Sequence, residues 1–104
     1  MKSVTECLTN LSSTDDEHGR LKGYIKGLEH RMKACKAVEF MKAEGKNNVE
    51  KESKALNSDE YVKMVDEYEN ACIDFHTIDA RRTTWELHVA VYQTQSANKR
   101  QGNV

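Results

Sequence analysis

Two stretches decide the fold: LKGYIKGLEHRMKAC, from Leu21 to Cys35, and YVKMVDEYENACIDF, from Tyr61 to Phe75. In the first, Leu21, Ile25, Leu28, Met32 and Cys35 follow a 4-3-4-3 spacing, and Tyr61, Val65, Tyr68, Cys72 and Phe75 repeat it in the second. Side chains recurring every 3.5 residues line a narrow stripe on a helix, which is coiled-coil packing rather than a broad globular face. Working outward, both stripes take an added step of three, through Val38 and Met41 in one and Ile78 in the other. The second resumes through Trp85, Val89 and Tyr92. An inserted step of three overwinds a coiled coil locally, so an imperfect supercoil is expected.

Composition agrees with helices. The 104 residues include no proline and five glycines, so little breaks a long helix. The length fits one domain with a modest core, and the 38% hydrophobic share is low for a compact globule. A formal net charge of −1 excludes a basic protein that wraps polyanions wholesale. No apolar run approaches the roughly 20 residues that span a bilayer, and Met1 to Thr14 lacks the apolar core of a signal peptide. Cys7, Cys35 and Cys72 are odd in number and widely spaced, which points to a reducing compartment. The expected location is the cytoplasm.

Helix starts are read from capping boxes, in which a polar side chain accepts from the third helical amide and an acid reaches back. Ser3 with Glu6, Thr14 with Glu17, Asn47 with Glu50 and Asn57 with Glu60 fit the pattern. They divide a single 1–104 domain into a short helix (4–11, within 1–13), a long helix (15–44, within 14–45), a connector (46–57) with a short helix at 49–56, and a long helix at 58–98. Gly45 suits a left-handed helix end, and a disordered tail is expected over 99–104. The connector is long enough to reverse the chain. The expected fold is therefore all-α: a long antiparallel coiled-coil helical hairpin with short accessory helices. The end of the last helix carries apolar residues on two faces, Val89 and Tyr92 on one, Leu87 and Val91 on another. One partner helix cannot cover both, so homo-oligomerisation through Leu87, Val91 and Tyr92 is expected.

Charge is segregated despite the neutral sum. Residues 1–19 hold one base and four acids, 20–54 ten bases and five acids, 55–79 one base and seven acids, and 80–104 four bases and one acid. A hairpin lays the basic block beside the acidic one, and such pairing fixes register. The alternative use of the lysines is contact with a phosphate backbone. Arg81-Arg82 and Lys99-Arg100 read as solvated surface pairs, and Tyr24, off the stripe, is the best candidate for stacking on a base. Gly19, Gly23 and Gly27 share one helix face, which favours close packing of a large partner such as Trp85 over simple fraying.

Catalytic patterns are absent. His18, His30, His76 and His88 form no i, i+4 pair, and no His-Glu-x-x-His, Cys-x-x-Cys or glycine-rich phosphate loop occurs. The cysteines fall on the apolar stripes as small hydrophobes, and a Cys-His nucleophile needs a cleft that a hairpin scarcely provides. No metal, no cofactor and no enzymatic activity are expected.

The stretch from Lys33 to Asn98 resembles small helical proteins of tailed phages and prophages that are encoded beside recombination genes. The matching features are Met41-Lys42-Ala43-Glu44-Gly45 closing a helix, Glu50-Lys51-Glu52-Ser53-Lys54-Ala55-Leu56, an acidic-aromatic helix opening at Ser58-Asp59-Glu60-Tyr61, and Tyr92-Gln93-Thr94-Gln95-Ser96-Ala97-Asn98. The order of a lysine-rich helix, a short Glu-Lys helix and a long helix is also similar to UvsY-type recombination mediators. That resemblance implies an oligomeric, non-enzymatic accessory protein in the cytoplasm of a bacterial host, binding single-stranded DNA and helping to load a recombinase. On this expectation Lys33, Lys36, Lys42, Lys46, Lys51 and Lys54 neutralise phosphates, while Asp59, Asp66, Glu67 and Asp74 meet a phage or host protein. The other expectation is a protein-binding module that inhibits a host defence or repair complex.

Overall fold

The computed structural model describes residues 3–102 and is all-α, a helical hairpin in which α1 packs against α3. The elements are α1 (Val4–Lys42), α2 (Asn48–Leu56) and α3 (Asp59–Arg100). Contacts divide them into two compact units: residues 3–20 with 75–102, and residues 21–74. No described helix is long and apolar enough to cross a membrane.

In the first unit the start of α1 runs antiparallel to the end of α3. The expected break between 11 and 15 does not occur, since α1 is continuous from Val4 to Lys42. Ser3 caps it as expected, its Oγ accepting from the Glu6 amide at 3.1 Å. Thr14 is no cap: its hydroxyl donates to the Asn10 carbonyl at 2.7 Å, and Ser13 does the same at 3.1 Å. Hydroxyls that bond back along their own helix do not end it, and no glycine or proline stands nearby to do so.

The least exposed residues of α1 continue the 3-4 repeat through this region as Val4, Cys7, Leu11, Thr14, His18 and Leu21. Thr14 and His18 are polar, so the hydrophobic pattern hides their place in the stripe. Arg82 and Asp79 from α3 complete that layer. Arg82 Nη1 donates to the Leu11 carbonyl and to Thr14 Oγ1, both at 2.8 Å, and its Nη2 meets Asp15 Oδ1 at 2.6 Å. His18 Nε2 lies 2.9 Å from Asp79 Oδ1, and its ring stacks on Phe75 at 5.0 Å. Cys7 is fully buried and is the unit's one buried hydrophobic residue among those described.

The second unit adds a third helix. Leu28 is completely buried, as are Ala55 of α2 and Ala71 of α3 to within a few per cent. Burying a leucine fully contributes about 1.5–3 kcal/mol, so Leu28 is the unit's main apolar anchor. The antiparallel register shows in Tyr68 donating to Glu29 at 3.1 Å. The added step of three is present in α3, where Phe75 and Ile78 are both half-buried. It is absent from α1: Val38 and Met41 are 49% and 86% exposed, while Cys35 is followed inward by Glu39 and Phe40. The stripe keeps its strict repeat there by accepting a glutamate whose carboxylate reaches Lys42 at 3.7 Å.

At the connector and the helix ends, one cap is as expected and the other boundaries differ. Asn47 does cap α2, accepting from the Glu50 amide at 2.9 Å. Glu50 folds back to accept from the Lys46 amide at 3.1 Å. Gly45 has no positive φ, since Gly102 alone does among the described residues. Gly45 serves close approach instead, because an added Cβ would lie 3.2 Å from Glu50 Cγ. Asn57 ends α2, its amide donating to the Ser53 carbonyl at 2.8 Å, and Ser58 caps α3 by accepting from the Tyr61 amide at 3.3 Å. Finally, α3 continues through Lys99 and Arg100, so the expected tail is helical to that point. Residues 103 and 104 of that tail, like residues 1 and 2, lie outside the described residues.

Candidate association face and basic groove

In the first unit the helix pair can bury one stripe per helix, and α3 carries a second. Ala80, Thr84, Leu87, Val91 and Thr94 follow a 4-3-4-3 spacing and are all exposed, Leu87 by 60% and Val91 by 52%. The two threonines spend their hydroxyls on their own helix, Thr84 on the Ala80 carbonyl and Thr94 on the Ala90 carbonyl, each at 3.1 Å. What they offer outward is a methyl group. A shallow groove of about 260 Å³ runs along Leu87, Ala90, Val91 and Thr94. A larger cleft of about 510 Å³ opens between Val4 and Thr5 at the start of α1 and His88, Val91 and Tyr92. The His88 Nδ1 is buried without a hydrogen-bond partner. All three residues expected at an oligomer interface, Leu87, Val91 and Tyr92, therefore lie exposed at one end of this unit.

In the second unit the expected phosphate-binding lysines do not form one free basic surface. Lys36 pairs with Glu52 at 2.9 Å, Lys42 with Glu39 at 3.7 Å, and Lys54 with Glu50 at 3.8 Å. Lys54 also donates to the Glu44 carbonyl. The Glu52 carboxylate accepts a hydrogen bond from Lys36 and holds its ammonium above the ordinary lysine range. Lys33, Lys46 and Lys51 make no ion pair among the described residues; Lys33 and Lys46 are exposed, and Lys51 is half-buried. The glutamates that neutralise the block come from α1 and α2. The expected charge pairing with the acidic segment of α3 is thus replaced by local pairs and by tyrosine bridges to Glu29 and Glu67.

One groove does combine cations with aromatics. Lys33 and Lys36 line a cleft of about 400 Å³ together with Met32, Glu29, Tyr61 and Tyr68. Hydrogen bonds with Cys72 and Glu29 push the Tyr68 hydroxyl up to about 12. Tyr24, expected to stack on bases, is engaged: its hydroxyl bonds Glu67, which raises its pKa, and Arg31 sits 5.8 Å from its ring centre. Among the expected partner-binding acids, Asp59 lies in the first turn of α3, where the helix dipole favours it. Asp66 and Asp74 are exposed, as is Glu67 beside Tyr24.

The glycine face is not a packing groove. A Cβ added at Gly19 or Gly23 meets nothing within 4 Å, and one at Gly27 meets the flexible Arg31 side chain at 3.5 Å. The antiparallel register set by Asp15 with Arg82 and His18 with Asp79 brings Trp85 level with Leu11 and Ser12, away from Gly19. Chemically reactive clusters are likewise lacking: no group of three His, Cys, Asp or Glu side chains converges among the described residues. The three cysteines are free, and burial pushes the Cys35 thiol up, away from nucleophilic reactivity.

Two features escaped the sequence reading. Arg82, expected as part of a solvated surface pair, is 14% exposed and ties α3 to α1. Its signal was positional: it stands midway between Ile78 and Trp85, where the stripe's spacing calls for a member. Of the second α3 stripe the hydrophobic pattern marks Leu87 and Val91 alone, because threonine carries a hydroxyl and alanine little apolar surface. Comparisons of the chain with protein-family models, with curated proteins and with solved structures return no match.

Proposed function

We propose that this chain is a non-enzymatic association module, an accessory protein that works by binding protein through exposed coiled-coil-type helix faces, its own copies included. The observation that carries the reading is the imbalance of its apolar side chains. Eleven large ones are exposed among the described residues, whereas the buried hydrophobic set is Cys7, Leu28, Ala55 and Ala71. A core of that size barely supports a chain of this length, and stability gained on association makes up the difference. Light scattering over a concentration series tests it. The expected mass exceeds 11.9 kDa and does not change on adding a single-stranded oligonucleotide. A mass of 11.9 kDa at every concentration overturns the reading.

A second reading, contact with single-stranded DNA in recombination, is favoured by one observation: the groove that sets Lys33 and Lys36 beside Tyr61 and Tyr68. Cations along a backbone and rings beneath bases are the ingredients of single-strand binding. In that case Asp59, Asp66 and Asp74 would be left for a protein partner. Two phosphate contacts give log–log salt dependence with a slope of about −1.4, at about −0.7 per contact. Anisotropy of a labelled oligonucleotide at two salt concentrations reads that slope, and absence of binding at low salt eliminates the DNA reading.

A further inference from the structure

We propose that the Ala80–Thr94 stripe of α3 is the docking face for a second copy of this chain, crossing its counterpart about a two-fold axis at Leu87. This inference rests on the association reading and assigns its face and its occupant.

The stripe has the composition of an interface. Its five positions carry no charge, and neither does any residue from Leu87 to Asn98, in a chain that is 32% charged. A helix face meant for water carries charged and polar side chains. Here the threonine hydroxyls are already satisfied within α3, so docking desolvates methyl groups without stranding donors. At the stripe's edge, the buried and unpartnered Nδ1 of His88 marks a polar need that the single chain does not meet.

The occupant follows from symmetry and area. Leu87 is the middle of the five positions, so two stripes crossed antiparallel overlap over their whole length. Leu87 then meets its copy, Thr84 meets Val91, and Ala80 meets Thr94. Each pair is reciprocal, residue i of one copy meeting j of the other and j meeting i, as a two-fold interface requires. The chain exposes 7806 Å², against about 5,900 Å² for a compact monomer of its mass. The excess, about 1,900 Å² per chain, is more than the roughly 600–1,000 Å² that each partner of a stable pair contributes.

The test uses the full chain and two kinds of variant. Leu87→Glu and Val91→Glu are expected to raise the dimer dissociation constant at least about 100-fold, because the two-fold axis places each new carboxylate in the interface twice. Met41→Glu, on an 86% exposed residue off the stripe, leaves it unchanged. Should the glutamate variants fail to fold, Leu87→Cys decides. Mild oxidation should link two chains into a band near 24 kDa, twice 11.9 kDa, faster than in the wild type or in Val62→Cys. An oligomer unaffected by the glutamates, or a Leu87→Cys chain that links no faster than wild type, overturns this inference while the association reading stands. A wild-type chain that is monomeric throughout overturns both.

Discussion

Replacing Arg82 by alanine removes the polar tie of the first unit, and its effect can be worked from the geometry. The guanidinium makes three hydrogen bonds, to the Leu11 carbonyl, Thr14 Oγ1 and Asp15 Oδ1, from a side chain only 14% exposed. Hydrogen bonds to a charged group contribute about 1.5–3 kcal/mol when shielded. After the loss the Thr14 hydroxyl still donates to the Asn10 and Leu11 carbonyls, so the Leu11 carbonyl keeps a donor. The Asp15 carboxylate is 62% exposed, and a pair open to water on that side adds about 0–1 kcal/mol. The arginine stem also packs in the stripe between Ile78 and Trp85, which alanine cannot replace. Together these give a loss of about 2–3 kcal/mol for Arg82→Ala, against about 1 kcal/mol or less for Asp15→Ala. For a chain of this size 2 kcal/mol lowers the melting temperature by about 8–16 °C. Urea unfolding followed by circular dichroism at one fixed protein concentration measures both variants, the concentration being held because association contributes. Arg82→Lys, which keeps the charge but not the fork, should recover less than half of the loss. If Arg82→Ala stays within about 0.5 kcal/mol of wild type, or Asp15→Ala is as damaging, the reasoning fails.

Three further outcomes are expected. Gly19→Ala and Gly23→Ala should each stabilise the chain by about 1 kcal/mol, since both sit in a helix with open space around the new methyl; no gain in urea midpoint for either would contradict this. Asn47→Ala should destabilise by about 1 kcal/mol through loss of the α2 cap, read as lowered amide-exchange protection over 48–56. Tyr68 should ionise at about 12, and Cys72→Ala or Glu29→Gln should bring it down towards 10 in an ultraviolet titration. Because folding raises this group above its ordinary value, its contribution to stability is complete below pH 10 and is lost as pH climbs towards 12.

The hairpin and its main stripe were legible because apolar residues every 3.5 positions leave little choice: Leu28 and Phe75 fall where the spacing put them. The cap at Asn47 was legible from side-chain chemistry alone. What misled was polarity inside the stripe. Thr14 looks like a cap and His18 like a surface residue until Arg82 and Asp79 arrive from α3, and no local rule announces a partner more than sixty residues away. Asn57 and Ser58 are adjacent capping types, and which one caps α3 depends on how α2 closes. The lysines illustrate a different limit. Their count points to a phosphate surface, but Glu39 and Glu50 pair with Lys42 and Lys54 at the i, i+3 and i, i+4 spacing of their own helices, and Glu52 of α2 reaches Lys36 of α1 because the connector sets the two together. The second stripe of α3 was legible in principle, through spacing rather than hydrophobicity.

Association through exposed helix faces can be read from light scattering of the purified chain across a hundredfold range of concentration. The mass is expected to rise to about 24 kDa, twice 11.9 kDa, and to ignore added single-stranded oligonucleotide. A mass fixed at 11.9 kDa up to the highest concentration would contradict it.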